Sequence, residues 1–373
     1  MNATTLPFTN DTPLCYTKNS PPFPKFASDP IASPAFSATF SALGLISHLI
    51  AFVVLLKTFR QTHSRSRSFF LIFLGGLVVT DFMGLLITGA IVLSYHLTHF
   101  NWRTIDPNCH FCNFMGMSMV FYGLSPLLLG ASMAIERFIG INCPFARTST
   151  MPKSRTITMV LMVWFIAGCI ALLPLIGIGS YHMQKPGSWC FFNISSEGND
   201  GVFSLIFSLV GLFSIIVSFL LNTVSVVTLI KVCCGKNRKQ RRRDNEVEMM
   251  VQLILIMIIA TICWCPMLVF IAHTVLSGAP LNYKQLLLWL RFLTWNQILD
   301  PWVYILFRRS VLRRISPRLD WSQGSIMTLY PSFSETVRRF TQSSIRTQDS
   351  DKTEETGKSN TPPSTFQPPP YST

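Results

Sequence analysis

Charged side chains are scarce. They make up 13% of the chain, only 17 of its 373 residues are acidic, and 49% are hydrophobic. Ordinary soluble domains carry about a quarter charged residues, so that class is excluded. What replaces charge is a series of apolar runs long enough to span a bilayer. They predict helices near 32–57, 68–95, 111–140, 157–178, 202–231, 249–277 and 285–307, an all-α membrane protein with seven transmembrane helices. The second run is the weakest, because Thr80, Asp81 and Thr88 interrupt it. A second absence is at the start: residues 1–30 hold no basic segment followed by an apolar core. No cleavable signal peptide is expected, and span 1 would act as the insertion signal.

The net charge of +14 is placed unevenly. Lys57, Arg60, Arg65 and Arg67 follow span 1; Arg147, Lys153 and Arg155 follow span 3. Lys236, Arg238, Lys239 and Arg241 to Arg243 follow span 5, and Arg308, Arg309, Arg313 and Arg314 follow span 7. The opposite loops hold only Arg103, Lys185 and Lys284. Cationic loops mark the cytoplasmic side, so the N-terminus is extracellular and the chain is a multi-pass cell-membrane protein. The run RKQRRR then sets topology, and no nucleic acid is expected as a partner. Three N-glycosylation tripeptides, at Asn2, Asn10 and Asn193, fall on the side read as extracellular. Cys15, Cys109, Cys112 and Cys190 also lie outside or at the outer face, where disulfides persist. Four cysteines allow three pairings, and spacing does not choose among them.

The chain shows no internal repeat of the kind a transporter of lipid acids would carry. His48, Asp81 and Asp300 have neither metal-ligand spacing nor a nucleophile beside them, so no enzyme, metal or cofactor is expected. One cation remains to be explained. Arg291 sits inside LLLWLRFLTWNQILDPWVYILF, where a charge costs about 2.5–3.5 kcal/mol on insertion scales. Asp300 is nine residues further on, about 13 Å along the axis. A small ligand with a negative head and an apolar body would match it; snorkelling to the surface is the alternative.

Span 3 ends in Glu136-Arg137-Phe138. Span 6 opens with Glu246 and carries Cys263-Trp264-Cys265-Pro266, and span 7 carries Asp300-Pro301-Trp302-Val303-Tyr304. Trp164 in span 4, Asp81 in span 2 and Cys112 at the start of span 3 complete a pattern. Over residues 31–317 the chain resembles a rhodopsin-like G-protein-coupled receptor. GSYHMQKPGSWCF at 179–191, Arg291, and DPWVY in place of the commoner NPxxY resemble the prostanoid receptors within that group. Three parts follow: an extracellular glycosylated segment (1–30), a receptor domain with an amphipathic helix after span 7 (31–317), and a disordered cytoplasmic tail (318–373).

The resemblance implies a prostanoid ligand. The residues agree with it. Span 3 has no acid between Cys112 and Ala134 to pair with an amine, and Met119 stands in the usual place for one. No lysine lies within span 7 for a retinal Schiff base. Met115, Met117, Met119 and Phe121 offer a wall suited to a flexible acyl chain. By resemblance Arg291 takes the carboxylate, Ser188 and Trp189 close over the ligand, and His96 reaches the same head. Thr88 could hydrogen-bond a ligand oxygen, although its hydroxyl is more readily bound to its own helix. Cys112 would pair with Cys190, leaving Cys15 with Cys109. Asp81 and Asp300 would form a switch core, with Trp264 and Pro266 as pivot and Pro301 and Tyr304 below. His48 stands where an asparagine is usual and Pro126 where a serine is frequent, which argues against a sodium ion there; His48 and Asp81 would instead make a titrating pair. Arg137 would pair with Glu246 and hold spans 3 and 6 together until a heterotrimeric G protein, of Gq or G12 type, is admitted. Arrestin and receptor kinases are expected on Ser332, Ser334, Thr341, Ser343 and Ser344. Pro368-Pro369-Pro370-Tyr371 matches a WW-domain ligand.

Overall fold

The structure, a computed structural model, describes Cys15 and residues 34–62, 65–98, 100–142, 153–185, 187–234 and 240–307. Asn2, Asn10, the helix expected after span 7, the phosphorylation sites and the proline-rich end lie outside the described residues, as does the side chain of Glu246. Seven long helices form the fold: α1 (Pro34–Gln61), α2 (Arg65–Thr98), α4 (His110–Asn142), α5 (Lys153–Leu172), α6 (Gly198–Cys234), α7 (Gln240–Ser277) and α8 (Tyr283–Leu306). A single turn, α3 (Trp102–Ile105), precedes α4. Among the described residues, six helices are long and apolar enough to cross a membrane. α8 falls short because Lys284, Arg291, Asn296, Gln297 and Asp300 dilute its leucines, yet it packs between α1 and α7 like the rest.

α4 is the central post and touches α2, α5, α6 and α7. Two apolar cores lie along it. The outer core gathers Trp189, Phe191, Phe192, Phe203, Phe207 and Trp264; the inner gathers Phe70, Phe73, Met133, Met249, Leu253 and Tyr304. The helices overrun their apolar segments, most at α7, which begins at Gln240 rather than near 249. Its extra turns, QRRRDNEV, are polar but mostly able helix formers. α5 instead stops short of the expected end, because Pro174 turns the chain into a 3₁₀ segment, Leu173–Ile176.

The loop between α5 and α6 folds as a hairpin, β1 (Tyr181–Gln184) against β2 (Trp189–Phe192), antiparallel, with Tyr181 opposite Phe192 and Gln184 opposite Trp189. Gly187 supplies the left-handed φ of 98° that its turn needs. All four residues of β2 are buried. Both faces of that strand are therefore covered, and no polar/apolar alternation marks it in the sequence. The hairpin is pinned at several points. Cys190 is bonded to Cys112, and Cys15 is bonded to Cys109, the pairing the resemblance implies. The Cys15 carbonyl also accepts from Met183 N at 3.2 Å, a second tie between Cys15 and the hairpin region. Tyr181 Oη donates to the Ala171 carbonyl at 2.6 Å, and burial pushes the phenol up, so it stays a donor.

Candidate ligand cavity and switch

Beneath the hairpin the helices enclose a cavity of about 170 Å³. A single water needs roughly 10–15 Å³, so this space is ligand-sized. Arg291, Ser188, Trp189, His96, Thr88 and Met119, nominated separately from sequence, all line it. Met115 and Met119 share a face of α4 and reach the wall. Met117 and Phe121 do not line it: two residues along a helix turn the side chain by about 200°, and they pack in the surrounding core instead. Ser37, Phe40 and Ser41 of α1, Tyr122 of α4, and Thr294 and Gln297 of α8 also line it. These were not legible as site residues, because each is an ordinary residue of an apolar helix.

Arg291 is half-buried. Its Nη1 donates to Ser37 Oγ at 3.3 Å, and its guanidinium carbon stands 4.4 Å from the centre of the Phe36 ring. Thr88 donates to its own helix at the Gly84 carbonyl, 2.5 Å away, so its hydrogen is committed and only its lone pairs face the cavity. His96 is half-buried at the rim, with Tyr95 edge-on at 5.5 Å. The wall thus offers the Arg291 cation, a few hydroxyls, one imidazole and one amide on a mostly apolar and aromatic surface, which suits an anion with an apolar body.

The hairpin is held over this cavity by a carboxylate. Asp200, in the first turn of α6, accepts from Ser180 Oγ at 2.8 Å and from Asn193 Nδ2 at 2.7 Å. Ser180 precedes β1 and Asn193 follows β2, so one side chain clamps both strands at their base. Asn193 is half-buried with its amide engaged there, although its tripeptide reads as a glycosylation acceptor. His182 on β1 lies near the same acid. Burial lowers its imidazole from the ordinary value, and the Asp200 charge opposes that shift.

Trp264 lines the floor of the ligand cavity and also the roof of a second, smaller one of about 30 Å³. The lower cavity reaches Asn222, Asn296 and Asp300. Asn296 Nδ2 donates to Asp300 Oδ2 at 3.1 Å, and Asp81, fully buried, lies within electrostatic range of Asp300. His48 does not make the expected pair with Asp81. Its Nε2 meets the Gln297 backbone carbonyl of α8 at 2.9 Å instead. Among the described residues no group of His, Cys, Asp or Glu is arranged to hold a metal ion. Pro266, half a turn beyond Trp264 toward the outer end of α7, leaves a backbone carbonyl of α7 without its helical donor and permits bending there.

At the cytoplasmic end Arg137 is buried. It pairs with Glu136, with Nε donating at 2.6 Å, and its Nη1 lies 3.7 Å from Met249 Sδ on α7. The described charge pair that ties α7 in place is a different one, Arg67 to Glu248 at 3.2 Å, between α2 and α7. Tyr304 Oη donates to Thr58 Oγ1 at 3.2 Å, which anchors the end of α8 on α1. In this arrangement α7 lies against Arg137.

Comparison with known proteins agrees with this architecture. Residues 51–304 match the 7 transmembrane receptor (rhodopsin family) model. The chain is 54% identical over 307 residues to the thromboxane A2 receptor of Bos taurus, covering 79% of this chain and 89% of that one. It is 52% identical over 316 residues to the thromboxane A2 receptor of Homo sapiens, covering 82% and 92%. The prostaglandin F2-alpha receptor of Mus musculus is 39% identical over 285 residues, covering 75% and 78%. Squid rhodopsin superposes with a TM-score of 0.64 at 19% identity, over 83% of this chain and 86% of that one, which speaks for the fold. The chain belongs to the rhodopsin family of seven-transmembrane receptors, a family of receptors and not of enzymes, and within it to the group that holds these thromboxane and prostaglandin receptors.

Proposed function

We propose that this protein is a receptor for thromboxane A2, that Arg291 takes the ligand carboxylate, and that the signal passes through Gq-type and G12-type proteins to phospholipase C and calcium. The observation that carries the reading is Arg291 itself, a guanidinium on the wall of an apolar cavity roofed by a disulfide-pinned hairpin. A prostanoid supplies one carboxylate and two hydrocarbon chains, which match the cation and the methionine, leucine and aromatic lining. The ligand's body would rest on Trp264. A shift of that indole alters the lower cavity around Asp300, and bending at Pro266 draws Met249 away from Arg137. That is a two-state element which ligand biases by binding one state better. Arrestin and receptor kinases would act on the tail, and a WW-domain protein on its PPPY end.

Another prostanoid acid is the second reading. It keeps the same cavity chemistry and is favoured less, because identity to the prostaglandin F2-alpha receptor is 39% against 54% for the bovine thromboxane receptor. The experiment is nucleotide exchange in membranes from cells expressing the full chain with Gq, using a stable thromboxane analogue and prostaglandin F2-alpha side by side. The reading expects exchange at lower concentrations of the thromboxane analogue. Equal or reversed potency refutes it.

A further inference from the structure

Arg291 has a means of escape. It lies eight residues into α8, and its stem is long enough to carry the charge toward the outer surface. What keeps it at the cavity is α1. The Phe36 ring faces the guanidinium at 4.4 Å, Phe36 stacks on Phe40 with centroids 4.0 Å apart, and Phe40 meets Trp295 edge-on at 4.8 Å. Arg291 and Trp295 are four residues apart on α8, and Phe36 and Phe40 are four apart on α1. Each pair therefore lies on one helix face, and the two faces interlock. Ser37, beside Phe36, accepts from Nη1 at 3.3 Å. Phe40 and Ser37 touch the cavity, whereas Phe36 does not line it. A ring outside the cavity wall does not serve as a ligand contact; its influence runs through the arginine it faces.

We propose that Phe36 is a positioning residue for the carboxylate anchor: with Phe40 and Trp295 behind it, the ring holds the guanidinium turned into the cavity and so sets how strongly the receptor prefers acids over neutral ligands. This rests on the reading of Arg291 as the carboxylate partner. The ring's negative face attracts the cation over a partly desolvated path, and that attraction is lost with any aliphatic side chain. Phe36→Leu keeps most of the volume and removes the face. Phe36→Tyr keeps both.

The test uses the full-length receptor in cell membranes, with a tritiated stable thromboxane analogue that carries the free carboxylate as tracer. The unlabelled acid and its methyl ester compete, and surface labelling sets equal receptor amounts. In Phe36→Leu the affinity for the acid should fall about 5- to 20-fold, with the ester unchanged, so the acid-to-ester ratio moves toward that of Arg291→Leu. Phe36→Tyr should keep the wild-type ratio. If Phe36→Leu does not reach the surface, Trp295→Leu, which removes the far end of the same stack, reads the same ratio with a smaller loss. Acid and ester weakening together would mean that the ring merely shapes the site, and a ratio that stays put would remove the seat altogether; either overturns the proposal. A wild type that takes ester as tightly as acid overturns the Arg291 reading itself and the seat with it, a pattern distinct from an acid-selective wild type indifferent to Phe36.

Discussion

Removing the Asp200 carboxylate should loosen the roof of the ligand cavity, by an amount that can be worked out. Asp200→Ala deletes two charge-assisted hydrogen bonds, from Ser180 at 2.8 Å and from Asn193 at 2.7 Å. Bonds of that type contribute about 1.5–3 kcal/mol each where they are buried. Asp200 is half-exposed, so solvent screens it, and halving gives roughly 1.5–3 kcal/mol for the two together. For a domain of this size, with roughly 2.1 cal/mol/K of unfolding entropy per residue, that corresponds to about 2–5 °C in melting temperature. Asp200→Asn is the informative control. Its carbonyl still accepts from Asn193, and the Ser180 hydroxyl can turn to accept from its amide, so only the charge assistance is lost and the shift should be a fraction of the alanine value. The assay is melting of purified receptor in detergent with a thiol-reactive dye that reads the exposure of buried Cys263. Dissociation of a bound thromboxane analogue should quicken in the same order, alanine before asparagine. An alanine variant that melts and releases ligand like wild type, or an asparagine variant as damaged as alanine, refutes the clamp.

The same clamp carries a pH dependence. His182 has its imidazole lowered below the ordinary 6.5 by burial, so as pH falls the unfolded chain binds that proton before the folded one does. Stability from this group is full above about pH 6.5 and declines below it. Melting at about pH 5.5 should therefore be lower than at about pH 7.5, with His182→Gln flattening that difference; an unchanged slope in the variant refutes the assignment. At the cytoplasmic end, Glu248→Gln removes the Arg67 tie and should raise basal inositol phosphate about two- to fivefold, the range of an exposed or partly buried pair worth up to ~1 kcal/mol. Glu246→Gln tests the separately proposed pair with Arg137, and basal activity unchanged in either variant at equal surface expression removes that residue from the list of restraints.

The long helices were legible because a bilayer demands uninterrupted apolar length, and the sequence states length directly. α8 was legible in the same way in spite of its polar residues, and the motif DPWVY within it carried the resemblance. The lid was not. Its strands are four residues long, and β2 is buried on both faces, so neither period nor length announces them. Arg291, Met119 and Thr88 were nominated from residue chemistry, and Ser188, Trp189 and His96 by resemblance, while their convergence is a property of helix packing that no spacing encodes. Asp200 was missed because its importance lies in two partners that are 20 and 7 residues away in the chain. Phe36 was missed for a related reason. Its spacing from Phe40 matches that of Arg291 from Trp295, yet the match means something only once α1 and α8 are known to be neighbours. Met117 and Phe121 were overassigned, because composition names a greasy helix and not the face it turns inward.

The central claim is that Arg291 is where an acidic ligand binds. The most direct measurement crosses two receptors, wild type and Arg291→Leu, with two ligands, the free acid of a stable thromboxane analogue and its methyl ester, in competition binding with surface expression controlled by labelling. Losing one partner of a desolvated charge pair costs ~2–5 kcal/mol. The acid should therefore lose tens- to thousands-fold on the leucine receptor, the ester should bind both receptors weakly and alike, and the leucine receptor should barely tell the two ligands apart. Binding of the acid to Arg291→Leu with wild-type affinity would contradict the account and return Arg291 to the role of a surface anchor.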